Sequence, residues 1–165
     1  MLACATILRQ ACGVSVPPLT SAEDLVWRNL MRLVFLLPRA LGEDLERTCG
    51  LSATQYSVLM HLSESPDRQL RMSDLAGRVS LSPSRITRVI DQMSADGLVE
   101  RRPEIRDGRS TMAALTAQGM AALRVAWPHH LQSVRTLALD HLTDQETETL
   151  GKILERLASH LGTTG

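Results

Sequence analysis

Apolar residues recur at helical spacing through most of the chain, and the first such run is the longest. Leu25, Val26, Met31, Leu33, Val34, Leu37, Leu41 and Leu45 predict an amphipathic helix over about 22–48. Ser21 stands where an N-cap belongs and Gly50 where a helix ends, while Pro38 inside the run is expected to kink or split it. Ahead of it the stretch VPPLT has two prolines and no usable period, so 1–20 reads as a flexible extension joined by a linker.

A second helix follows the pattern Ser52-Ala-Thr-Gln55, a capping box in which the serine caps and the glutamine reaches back. Tyr56, Leu59, Met60 and Leu62 mark its inner face, and SESPDRQ then reads as a loop. A short helix from about Met72 to Val79 turns Leu75, Ala76 and Val79 inward. Val79-Ser80-Leu81 is a tight turn, after which Ser82 caps and Pro83 opens another helix at the one position where its missing N–H costs nothing. There Ile86, Val89, Ile90 and Met93 form a buried stripe, with Ser84, Arg85, Thr87, Arg88, Asp91 and Gln92 opposite. Gly97 sits just past the end, as a left-handed terminating residue does.

The period then changes. LVERR is a short β-type run that Pro103 is expected to break, Asp107-Gly108 centres a turn, and STMAAL returns as a second strand. Thr116 caps a helix running towards Asp140 and interrupted by Pro128. A second capping box, Thr143 to Glu146, opens a last helix with Leu150, Ile153, Leu154, Leu157 and Leu161 on one side. The class expected is mainly α with a small β-hairpin wing: a winged helix-turn-helix DNA-binding domain over 49–115, with 21–48 and 116–165 as a helical dimerisation region, since those helices have more apolar positions than one small lobe could cover.

Composition narrows this. Aromatic residues are 2% of the chain, so its core is aliphatic and suits helix packing better than an all-β sandwich. Formal net charge is zero, which disfavours binding nucleic acid through bulk charge and leaves only a local basic face. The basic residues are arginines except Lys152; arginine is the better reader of base edges and phosphates, although a GC-rich genome yields the same bias. Cys4, Cys12 and Cys49 are an odd set without a CxxC, which fits a reducing cytoplasm and neither a disulfide framework nor a zinc site. No apolar run reaches the roughly 18 residues that span a membrane.

Helix, turn, helix and hairpin in this order set the second helix of the pair across a surface, and a B-DNA major groove accepts one helix. Its polar face alone reads as an ordinary solvated face. The hairpin alters the balance by adding Arg101, Arg102, Arg106 and Arg109, because a hairpin tip can enter the minor groove, where arginine is drawn by negative potential. Asp107 is placed to hold the Arg109 guanidinium.

The segment from Leu51 to Gly119 resembles the MarR family of multiple-antibiotic-resistance-type regulators. The likeness is carried by LSATQYSVLMHL, by LAGRVSLSPSRITRVIDQMSADGLVERR and by the wing signature RDGRSTMAALTAQG, and the flanking helices extend it to about 21–161. The resemblance implies a triangular homodimer whose first and last two helices interlock, with two winged lobes beneath. It implies recognition-helix contacts from Ser82, Ser84, Arg85, Thr87 and Arg88. It further implies a wing pair of Asp107 and Arg109 with Arg109 in the minor groove, and phosphate contacts from Arg102 and Arg106. Such regulators typically repress at a pseudo-palindromic promoter site and are released by a small phenolic or other ligand.

For that ligand crevice the facing candidates are Trp27, Met31, Arg32 and His61, although Trp27 fits packing at a dimer interface better. Cys12 precedes Pro17-Pro18 and Tyr56 is the only tyrosine, so peroxide sensing is not expected. His129 and His130 diverge by about 100° on a helix, and neither they nor His61, His141 and His160 show metal-ligand spacing. The expectation is a DNA-binding transcription regulator of the cytoplasm, without enzymatic activity, cofactor or membrane. The competing readings are a regulator with no small-molecule effector and a winged helix used for protein contacts.

Overall fold

A computed structural model describes residues 17–103 and 111–162. Cys4, Cys12, Arg106, Asp107, Gly108 and Arg109 lie outside the described residues. Six α-helices and three strands follow in the order α1 (Ser21–Cys49), α2 (Ala53–Ser63), β1 (Gln69–Arg71), α3 (Met72–Arg78), α4 (Pro83–Ala95), β2 (Val99–Pro103), β3 (Thr111–Leu115), α5 (Ala117–Leu137) and α6 (Asp144–Gly162). Short 3-10 turns occupy Pro66–Arg68 and Leu139–His141. The chain divides into two compact units between Phe35 and Leu36. No helix among the described residues is long and apolar enough to cross a membrane.

Helix starts follow hydroxyl chemistry. The cap of α1 is Thr20 rather than Ser21: its Oγ1 accepts from the Glu23 amide at 3.3 Å, and the Glu23 carboxylate accepts the Thr20 amide at 2.7 Å. That closes a T-x-x-E box one residue earlier than expected. The boxes at Ser52/Gln55 and Thr143/Glu146 form as the spacing predicted. Thr116 caps α5 and also donates its hydroxyl to the Gly97 carbonyl at 2.7 Å, tying the helix start to the turn before β2.

Pro38 and Pro128 do not split their helices, which run unbroken through both. Each proline removes a single i→i−4 bond, whose carbonyl lies on an accessible helix, and the surrounding turns hold the backbone. The helix from Thr116 does stop short of the expected end: α5 closes at Leu137 and a 3-10 turn carries the chain through Asp140.

The hairpin wing is two strands of a three-stranded antiparallel sheet in the order β1-β3-β2. Gln69–Arg71, of which the sequence predicts Gln69 as loop and assigns Leu70 and Arg71 to no element, pairs with Ala114 to Met112 on β3. Pro103 ends β2 from within, opposite Thr111, and is tolerated because β2 is an edge strand with no outer neighbour to receive an N–H.

The core sits in the unit from Leu36 onward. It joins Leu45 of α1, Tyr56, Val58, Leu59 and Leu62 of α2, Leu75 of α3, Ile86, Ile90 and Met93 of α4, Val99 and Ala113 of the sheet, and Leu123 and Ala126 of α5. Met60, Val79 and Val89, expected inside, are partly buried at its edge, and Cys49 packs there as a small hydrophobe. Among its described residues nothing of α6 is buried, although it carries an apolar stripe of Leu150, Ile153, Leu154, Leu157 and Leu161.

Candidate nucleic-acid interface

The site is built around α4. Ser82 caps it, its side chain accepting from the Arg85 amide at 3.4 Å, and Pro83 occupies the first turn. Ile86, Ile90 and Met93 are at most 1% exposed, so this stripe fixes which way the helix is turned. Ser82, Ser84, Arg85, Thr87, Arg88, Asp91 and Gln92 are consequently all exposed.

The turn that aims α4 contains a strained residue. Ser80 adopts φ +54°, a left-handed conformation normally left to glycine. The strain is held by bonds from the Val79 amide to the Leu75 carbonyl and from the Leu81 amide to the Ala76 carbonyl, at 3.0 and 2.9 Å. At its other end α4 closes on Gly97, at φ +72°, with the Leu98 amide reaching back to Met93 at 2.9 Å. The chain then enters β2 directly, so reading helix and wing are joined through Gly97 and Leu98.

An open groove of about 620 Å³ runs along the exposed face of α4 and is lined by Ser52, Gln55, Ser84, Arg85, Arg88, Val89 and Gln92. Its far wall is the start of α2. The capping box satisfies the amides of Ser52 and Gln55 there. The remaining first-turn amides of α2 have no intrahelical acceptor, so this end is positive by dipole as well. The spacing of Ser52 and Gln55 showed a helix start; only the fold shows that the start borders the arginine face of α4.

Among the described residues neither Arg85 nor Arg88 has an acidic partner, so both guanidiniums are open to an external anion. Thr87 turns its hydroxyl back to the Pro83 carbonyl at 2.9 Å. Gln92 donates to Asp96 at 3.1 Å. On the wing, Arg102 pairs with Glu100 of its own strand. Arg101 instead reaches α4, 2.7 Å from the Asp91 carboxylate.

Trp27 and Arg32 are exposed and Met31 half-buried in the unit ending at Phe35, whereas His61 is half-buried in the last turn of α2. Sequence reasoning missed a pair between α2 and α5 in which the rings of buried Tyr56 and half-buried His130 lie 4.5 Å apart. Neither Tyr56 Oη nor His130 Nδ1 has a hydrogen-bond partner. Burial pushes the Tyr56 phenol up to about 12, with the Glu64 charge adding to it, and burial lowers His130. Among the described residues no group of three or more His, Cys, Asp or Glu could hold a metal ion.

A capped, outward arginine helix after a tight turn, followed by the β2–β3 hairpin of a three-stranded sheet, defines a winged helix-turn-helix protein. The chain belongs to the MarR family of transcriptional regulators. That family's model matches residues 50–110, from the α1–α2 turn into the wing. The chain is 31% identical over 113 residues to the HTH-type transcriptional repressor YetL of Bacillus subtilis, covering 66% of this chain and 67% of that one. Its fold is similar to that of AbsC, a MarR family transcriptional regulator from Streptomyces coelicolor, with a TM-score of 0.82 and 36% identity over 90% of this chain and 99% of that one. It is equally similar to Sco3205 of the same organism, solved in complex with DNA, with a TM-score of 0.82 and 34% identity over 89% of this chain and 92% of that one.

Proposed function

We propose that the protein is a homodimeric repressor that occupies a pseudo-palindromic promoter site, with α4 in the major groove and the β2–β3 wing at the adjacent minor groove. The observation that carries this reading is the pair Arg85 and Arg88, unpaired among the described residues on a helix whose orientation is locked by its buried stripe. Guanidiniums in that position suit guanine edges or phosphates. Ser82 and Ser84 are short enough to let the helix start approach a phosphate, and Gln55, across the groove, adds a polar contact. The DNA complex of Sco3205 and the repressor YetL support the same use of the fold. By the family resemblance Arg102 and Arg106 meet phosphates, and Asp107 orients Arg109 in the minor groove.

The dimer is argued from exposed apolar surface. Leu150, Ile153, Leu154 and Leu157 of α6 are 39–45% exposed and share one helix face. A helix with such a stripe and no buried residue is marginal in water until the stripe is covered. A two-fold pairing through the terminal helices would space two α4 helices about one DNA turn apart, roughly 34 Å.

The test is footprinting on the DNA upstream of the protein's own gene, with titrations of variants. Arg109→Ala is expected to weaken binding by about 1–3 kcal/mol, and Arg85→Ala to relax base preference at one position of each half-site. Unchanged affinity in both, or a monomer with no salt-sensitive hold on any duplex, overturns the reading. Ligand release remains a separate question, answered by a thermal-shift screen of phenolic acids followed by DNA-release assays on the hits.

A further inference from the structure

The arginines of this surface are not equivalent. Val99 and Arg101 share a face of β2, since side chains alternate along a strand. Val99 is 1% exposed and inserts into the core. Arg101, two positions on, passes the core's edge and arrives over α4. One Nη2 there lies 2.7 Å from Asp91 Oδ1 and donates to the Thr87 carbonyl at 3.3 Å. Thr87 and Asp91 stand one helical turn apart, so the guanidinium spans a full turn of the helix that faces the groove.

We propose that Arg101 is a positioning residue: it ties β2 to the exposed side of α4, fixes the angle between reading helix and wing, and does not itself hold nucleic acid. The inference rests on the DNA-binding reading above and deepens it. It also assigns Asp91 a task. An acid on a face that presents Arg85 and Arg88 repels a phosphate backbone unless it is neutralised, and Arg101 neutralises it from the wing side. Both partners are partly exposed, with side chains 36% and 59% accessible, so the tie is weak enough to yield yet adequate to bias an angle.

The experiment measures affinity for an operator duplex across a salt series, with melting temperatures, for Arg101→Ala, Asp91→Asn and the exchanged double variant Arg101→Asp/Asp91→Arg. Each single variant is expected to bind about fivefold more weakly, at an unchanged salt slope and melting temperature. The double variant is expected to recover most of the loss. The sign for Asp91→Asn is decisive, because removing a negative charge from a DNA-facing helix should by charge alone tighten binding. Tighter binding by Asp91→Asn overturns the proposal. So does a slope lower by about one for Arg101→Ala, which would put that guanidinium on a phosphate. Affinity that falls only in step with melting temperature also overturns it. Failure of the unaltered protein to bind duplex at any salt would be a different result, removing the regulator reading itself.

Discussion

Tyr56 and His130 meet as a tilted pair between α2 and α5, with Tyr56 Oη and His130 Nδ1 unanswered, and each has a measurable consequence. A buried hydroxyl without a partner contributes its desolvation penalty and little else. Tyr56→Phe is therefore expected to leave the melting temperature unchanged or raise it, where a hydroxyl with a partner would lower it by about 1 kcal/mol equivalent. For His130 burial lowers the folded-state pKa, so the unfolded chain takes up the proton first. Stability is full above the ordinary histidine pKa of about 6.5 and is lost as pH falls through it. Urea unfolding at pH 7 and pH 5 should show a smaller loss for His130→Phe than for the unaltered protein; equal losses would refute the assignment. Glu23 and Glu146, lowered by their bonds to Thr20 and Thr143, act only in the more acidic carboxylate range. The inward face of Tyr56 was legible in its helical period. Its meeting with His130 was not, because spacing along one helix says nothing of which residue on another lies opposite.

At the scale of elements, α4 was the most legible part of the chain. A serine cap, an N1 proline, a clean apolar stripe and a closing glycine agree on the same limits, and local signals that agree leave little for packing to revise. β1 was the least legible. Its span Gln69–Arg71 is too short to show alternation, and it is a strand only because β3 offers a paired edge. The cap of α1 was misplaced by one residue because Thr20 and Ser21 offer the same hydroxyl, and only Thr20 has a glutamate at the right distance. Two junctions can be tested. Ser80→Gly relieves the left-handed strain before α4 and should stabilise by about 1 kcal/mol in urea unfolding. Gly119→Ala should do the opposite and cost about 3 kcal/mol or more, because its Cβ would fall 2.0 Å from the Leu98 carbonyl oxygen and 2.8 Å from Leu115 Cδ1. That carbonyl already receives the Thr116 hydroxyl at 3.0 Å and cannot readily move.

At the scale of the whole molecule, the core draws on α1 to α5 and the sheet, whereas the first half of α1 and α6 carry more apolar surface than they cover. Leu25, Val26, Trp27, Leu33, Val34 and Phe35 are all more than half exposed on the first half of α1, in a unit distinct from the one that holds α6. This excess was readable from the sequence as a count of apolar positions; what covers it was not, since periodicity along a helix does not say what lies opposite it. If the proposed homodimer pairs through α6, Leu154→Asp is expected to give a monomer in sedimentation and to lower duplex affinity, with α4 untouched. In the homodimer proposed above, α6, none of whose described residues is buried, is covered only in the pair, so the protein's stability should be second order in its concentration. Diluting the sample should lower its melting temperature, and a cell holding few copies would carry some with that helix frayed. A protein of this kind would then begin to act only above a threshold abundance, even before any effector is considered.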